Sequence, residues 1–174
     1  MAEVNPQDRH MPFLLDRLQD DEPHVANESR DRRSHSMRRL RDSVLRDLRW
    51  LLNARCHVDG DGLDEFPLVA RSVVNFGVPD LTGLTASQVP AIEIERMVRR
   101  AIEAYEPRIL RASLQVRITD GGPGAREAAA GGPAVVHLEI RADIWSLPTP
   151  EHLLVWTDLD LETGNCRLRD GPPG

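Results

Sequence analysis

At 174 residues and 19.5 kDa the chain fits one domain, large enough to bury roughly two-thirds of its unfolded surface without staples or a structural metal. Its 40% hydrophobic and 29% charged content excludes fibrous and wholly disordered classes, and no run approaches the ~18 apolar residues of a membrane span. With 28 acidic against 22 basic residues, a net charge of -6 and no lysine, the composition removes the simplest electrostatic case for nucleic-acid binding. The N-terminus "MAEVNPQDRHMPF" lacks the apolar stretch of a signal peptide, so a cytoplasmic protein without membrane insertion is expected.

In chain order, "FLLDRL" (13–18) is a short apolar segment, and "QDDEPHVANESRDRRS" after it reads as a polar arm; residues 1–35 are expected to form a flexible N-terminal arm. The only local basic run, "SRDRRSHSMRRLR" (29–41), leads into a helix and reads as a solvated face; a nucleic-acid role for it would show as salt-sensitive DNA binding. Ser36 is the expected N-cap, and Met37, Leu40, Val44, Leu48 and Leu51, widened by Leu45 and Leu52, line one face of a helix reaching about Ala54. A single body over 36–170 follows, with a tail at 171–174.

"RCHVDGDGLDEFP" (55–67) is a loop. Asp59-Gly60-Asp61-Gly62 lacks the spacing and terminal glutamate of a calcium loop, so no metal is assigned. A short helical turn ended by Gly77 and Pro79 comes next. A second long helix is predicted with Ser87 as its cap, Val89 and Pro90 in its first turn, and Ile94, Met97, Val98, Ala101, Ile102 and Tyr105 as its apolar stripe.

After Pro107 the period changes to two. Leu110, Ala112, Leu114, Val116 and Ile118 point one way and Arg111, Ser113, Gln115 and Arg117 the other, predicting a half-buried strand. Beyond the Gly/Pro/Ala-rich connection 120–133, a second strand is expected with Val136, Leu138, Ile140, Ala142 and Ile144 inward and His137, Glu139, Arg141 and Asp143 outward. A third strand spans 152–161, and Thr163-Gly164-Asn165 turns the chain into a short last strand. Helices first and strands after, without βαβ alternation, predict an α+β fold: N-terminal helices packed on one face of a small antiparallel meander.

Chemistry is sparse. Glu103 and Glu106 could be imagined as a glycosidase pair, but three residues apart at a helix end, and with aromatic content of only 4%, they read as structural carboxylates. Adjacent Cys56 and His57 are not placed as catalytic pairs are, since such partners come from distant segments. Neither cysteine sits in a ligand spacing, and no phosphate loop or nucleophile elbow is present. No catalytic residue and no cofactor is assigned.

Four blocks, "FLLDRL" (13–18), "SVLRDLRWLLNAR" (43–55), "FPLVARSVVNFGVPDLTGL" (66–84) and "IERMVRRAIEAYEPRILRASLQV" (94–116), resemble the TssE family. This is the baseplate subunit of the type VI secretion system, related to the wedge protein of contractile phage tails and historically labelled lysozyme-like. The resemblance implies a structural adaptor with a sheet shaped like the sheath's interlocking module. Its expected place is the cytoplasmic face of the inner membrane, in a wedge with TssF, TssG and TssK and against the first ring of the TssB/TssC sheath. It also implies that Glu106, Pro107 and Arg108, the triplet between helix and strand, hold the interlock with a partner. The residues themselves leave open an internal salt bridge that staples helix to sheet. A peptidoglycan-cleaving enzyme is the alternative carried by the family's old label. The apolar "PFLLDRL" reads either as a docking anchor or as a turn packed on its own domain.

Overall fold

The computed structural model describes residues 14–18, 24, 37–57, 60–63, 65–82, 90–119, 135–146 and 149–170. The Ser36 and Ser87 caps, the 120–133 connection, the 171–174 tail and most of the N-terminal arm lie outside them. Among the described residues four α-helices precede four strands: α1 Leu14–Leu18, α2 Met37–Asn53, α3 Pro67–Ala70, α4 Ala91–Tyr105, then β1 Gln115–Ile118, β2 Val135–Ile144, β3 Glu151–Asp160 and β4 Cys166–Asp170. Short 3-10 turns stand at Gly60–Leu63 and Val73–Asn75. The expected α+β class and helix-then-strand order hold.

The two long helices form because their apolar residues recur at the helical period. In α2, Leu40, Val44, Leu48, Leu51 and Leu52 are buried; in α4, Ile94, Val98, Ala101 and Ile102 are. Pro90 is the N-cap residue of α4 rather than part of its first turn, with φ -57 and ψ 137. Its extended ψ puts it before the helix, where its missing N–H costs nothing.

The strands form one sheet in the order β1-β2-β3-β4, every neighbour antiparallel. Ile140 faces Val155 and Leu138 faces Thr157 across the β2–β3 ladder, so the inward residues of both strands share one face. That face meets α2 and α4 around a common core containing Leu48, Ile102, Ile140, Ile144 and Val155. Each fully buried aliphatic side chain contributes about 1.5–3 kcal/mol relative to exposure.

Two further expectations are corrected. The first strand does not run from Leu110: Ile109 bridges Ile144, and regular pairing begins only at Gln115 opposite Arg141. Residues 110–114 therefore oppose only 142 and 143, and the excess is taken up by a turn closed by Ser113 N–H donating to the Leu110 carbonyl at 3.0 Å. The Ser113 hydroxyl oxygen accepts from Asp143 N–H at 2.8 Å, replacing the missing ladder bond, and Ala112 is exposed. An alternating pattern cannot reveal such a bulge, because the turn keeps the period while leaving the ladder.

The second correction concerns His137 and Glu139, which alternate outward but are buried. Polar pairing makes this tolerable: across the ladder His137 Nδ1 lies 2.8 Å from Asp158 Oδ1, and within β2 Arg141 Nε lies 2.5 Å from Glu139 Oε1. Asp158 also receives Arg169 Nη2 at 2.7 Å. Period two assigns a residue to a face but does not say how that face is covered.

Each sheet edge carries a side chain from the helix beside it. On β1, Glu95 of α4 accepts the outward N–H of Ile118 at 2.7 Å. On β4, the Asn53 carboxamide of α2 accepts from Cys166 N–H at 3.0 Å and donates to the Cys166 carbonyl at 2.9 Å. Arg41, at the other end of α2, binds the Asp170 carboxylate and donates to the His152 carbonyl at 2.9 Å.

Candidate partner-binding site

The Glu-Pro-Arg triplet sits where helix becomes sheet. Glu106 N–H donates to the Ile102 carbonyl at 2.9 Å, the last helical bond of α4, and Glu106 then leaves the helical region at φ -117 and ψ 83. Pro107 enforces this, since it disfavours the α conformation in the residue before it and supplies no N–H of its own. Arg108 is already at the sheet, its carbonyl accepting from Trp145 N–H at 2.7 Å.

Glu106 and Arg108 project the same way, inward, and are 4% and 7% exposed, while Pro107 is exposed. Arg108 Nε donates to Glu106 Oε1 at 2.6 Å and Nη2 to Glu106 Oε2, a two-point fork. Nη1 donates to the Ser43 hydroxyl at 3.1 Å and Nη2 also reaches Asp47 on α2. Burial alone would disfavour the guanidinium's charge, but the Glu106 carboxylate and Asp47 outweigh it and hold its pKa above the ordinary arginine value. The structure thus joins Glu106 to Arg108 and both to α2. Ser43 and Asp47 escaped sequence reasoning, although their position was a signal: they stand three and seven residues after Leu40, polar groups bordering the apolar face.

Above this ion pair is a groove of about 270 Å³, lined by Leu15, Trp50, Leu51, Phe76, Tyr105 and Pro107. Leu15 of α1 lines it while remaining 42% exposed, and Leu14 and Leu18 are more exposed still. Trp50 is half exposed, with the Arg46 guanidinium 5.1 Å from its ring centre.

Beside the groove, the segment 66–76 is organised inside out. Tyr105 Oη lies 2.8, 3.1 and 3.2 Å from the carbonyls of Asn75, Ala70 and Ser72, so the backbone polar groups turn inward. Five apolar side chains turn outward: Leu68 and Val73 are each 86% exposed, with Phe66, Val69 and Val74 also exposed. Gly77 closes the segment at φ 132, where an added Cβ would lie 2.6 Å from the Ala54 carbonyl oxygen. This close approach lets Val78 N–H reach that same oxygen at 3.0 Å.

The residues weighed for catalysis are not brought together. Glu103 is on the surface with Arg99 Nε 2.8 Å away, whereas Glu106 is buried under Arg108. Cys56 is half-buried and His57 exposed. Among the described residues no cluster of three or more His, Cys, Asp or Glu is arranged to hold a metal, and no helix is long and apolar enough to cross a membrane.

A sheet backed by two helices, a charge pair locked inside the junction and an apolar loop held outward define an α+β module with an exposed apolar surface of the kind that mediates assembly. The family model described as baseplate wedge protein gp25 matches residues 38–149, and the chain belongs to that family, which includes TssE. The match runs from α2 through β2 and stops before β3. Membership carries a structural role in a baseplate and association with other baseplate components. No curated protein and no solved structure matches the chain.

Proposed function

We propose that the chain is the TssE-type subunit of a type VI secretion baseplate. It sits with TssF, TssG and TssK at the cytoplasmic face of the inner membrane, joins the wedge to the TssB/TssC sheath and templates sheath polymerisation. The observation that carries this reading is the family match over residues 38–149, which takes in three of the four blocks that carry the resemblance to TssE, those at 43–55, 66–84 and 94–116. The exposed apolar side chains of 66–76 fit a subunit whose surface is covered on assembly. On this reading Pro107 and the groove above the ion pair meet the partner, and Glu106 and Arg108 hold that surface in shape from below.

The role is structural rather than catalytic. A glycosidase acid must be free to give its proton to the leaving oxygen, and both carboxylate oxygens of Glu106 face the Arg108 fork. The deciding experiment is co-purification with TssF, TssG and TssK, with sheath assembly followed by fluorescence in cells lacking the subunit and in cells given it back. Stable co-purification and restored sheaths are expected. Sheaths that form equally well without the subunit would sink the proposal, as would peptidoglycan turnover that Glu106→Gln abolishes.

A further inference from the structure

We infer that Arg55 is a positioning residue that links the outward apolar segment 66–76 to the β3–β4 turn, so that a partner covering the first also fixes the second. The link is read from contacts within the chain, and its use in assembly rests on the baseplate role proposed above. The chain leaving α2 runs beside the exit of the segment. Val78 N–H donates to the Ala54 carbonyl and Cys56 N–H donates to the Val78 carbonyl, each at 3.0 Å, so Arg55 stands opposite Val78 in a parallel bridge. Val78 and Leu81 are buried in the core. The segment is therefore held within its length by the Tyr105 hydroxyl and at its exit by the backbone around Arg55.

The Arg55 side chain reaches in two directions. Its Nε lies 3.4 Å from Asp80 Oδ1, just past the segment, and its Nη2 donates to the Gly164 carbonyl in the β3–β4 turn. Asp80 is oriented for this by Thr82 N–H, which donates to the same Oδ1 at 3.0 Å. A planar guanidinium holds donors at fixed angles to two acceptors at once, which a lysine ammonium does not. Gly164 stands at φ 69, and a Cβ there would lie 1.8 Å from Arg55 Nη2. A side chain at 164 is thus opposed by the backbone conformation and by the guanidinium together.

The turn that Arg55 grips is itself closed. Gly164 N–H donates to the Asp160 carbonyl at 2.7 Å, and the Asp160 carboxylate accepts from the N–H groups of Glu162 and Thr163 at 2.8 and 3.2 Å. Two residues before Arg55, Asn53 binds both backbone groups of Cys166. The end of α2 therefore fixes the turn and the first residue of β4, and Arg55 carries that hold on to the exit of the segment. Loosening residues 77–80 takes the Asp80 acceptor from the guanidinium and eases opening of the turn. Loosening the turn acts on the segment in the same way, because such coupling is reciprocal.

Amide hydrogen exchange on the intact chain and on Arg55→Gln tests the link. The amides of Gly164 and Cys166 in the turn, and of Ala70 and Asn75 in the segment, are expected to speed up about threefold more than that of Ile140 in mid-sheet, which reports global opening. Gly164→Ala reaches the same contact from the other side, since its methyl displaces the guanidinium, and should also speed Ala70 and Asn75. Ala70 and Asn75 unchanged in both variants would overturn the link and leave Arg55 a local brace of the turn. With purified TssF and TssG bound, the Gly164 and Cys166 amides are expected to slow in the wild-type chain and not in Arg55→Gln. A complex that forms without slowing them, or slows them equally in both, overturns the transmission and leaves the baseplate role standing. Absence of any complex overturns that role, while the link within the chain is judged by the first measurement.

Discussion

Arg108 holds Glu106 across the exposed ring of Pro107, its Nε 2.6 Å from Oε1 and its Nη2 on Oε2, so that the charges flanking the proline neutralise each other inside the molecule. Ser43 and Asp47 also bind the guanidinium and tie the junction to α2.

Removing one partner of such a pair strands the other. Arg108→Ala leaves the Glu106 carboxylate buried without its cation, at a cost of about 3–5 kcal/mol. Arg108→Lys keeps the charge but not the planar fork and should fall between the two. Urea denaturation measures both. An Arg108→Ala midpoint equal to wild type would show that the fork contributes nothing to folding and that the pair serves a partner alone.

Tyr105→Phe removes the one hydroxyl that three carbonyls share. The expected cost is about 0.5–1.5 kcal/mol, that of losing a hydrogen bond from the hydroxyl to part-buried carbonyls. Limited proteolysis should cut the variant faster within 66–76, and an unchanged cleavage rate there would dismiss Tyr105 as the tether of this segment.

Asp170 couples stability to acid. Its hydrogen bond from Arg41 holds its pKa below the ordinary carboxylate value, so the folded state binds this proton less readily than the unfolded state. The stabilisation is complete above the unfolded carboxylate pKa, about 4, and is lost as pH falls through the depressed folded value. Arg41→Gln should flatten this acid limb relative to wild type in stability measured from neutral to strongly acidic pH. Parallel wild-type and variant curves would refute the coupling.

Cys166 acts at the opposite end of the scale. Burial pushes its thiol up to about 12, so the folded state keeps a proton that the unfolded chain releases near pH 8.5. Its contribution to stability is present below that value and declines as pH rises towards the folded one. A Cys166→Ala variant should lose less stability across this alkaline window. With a thiol reagent at pH 8, the half-buried Cys56 should react well before Cys166; equal rates would contradict the assignment.

Much of the architecture was legible because it is local. The three- and four-residue recurrence from Leu40 to Leu52 and from Ile94 to Tyr105 specified two helices and their buried faces, and alternation from Val136 to Ile144 specified a strand. The turn at Thr163-Gly164-Asn165 was legible too, with Gly164 at φ 69. The bulge at residues 110–114 was not, because whether a residue stays in a ladder depends on the partner strand's register.

The same division runs through the site. Helix end, proline and charged flanks at 106–108 follow from the chain's own chemistry, since Pro107 stops a helix wherever it occurs. Which way the charges turn was decided only by folding, when α2 brought Ser43 and Asp47, more than 60 residues away in sequence, against Arg108. The edge locks made by Asn53 and Glu95 have the same origin. Periodicity and capping act within a few residues, whereas hydrogen-bond partners across the fold are selected by the packing of whole elements against one another.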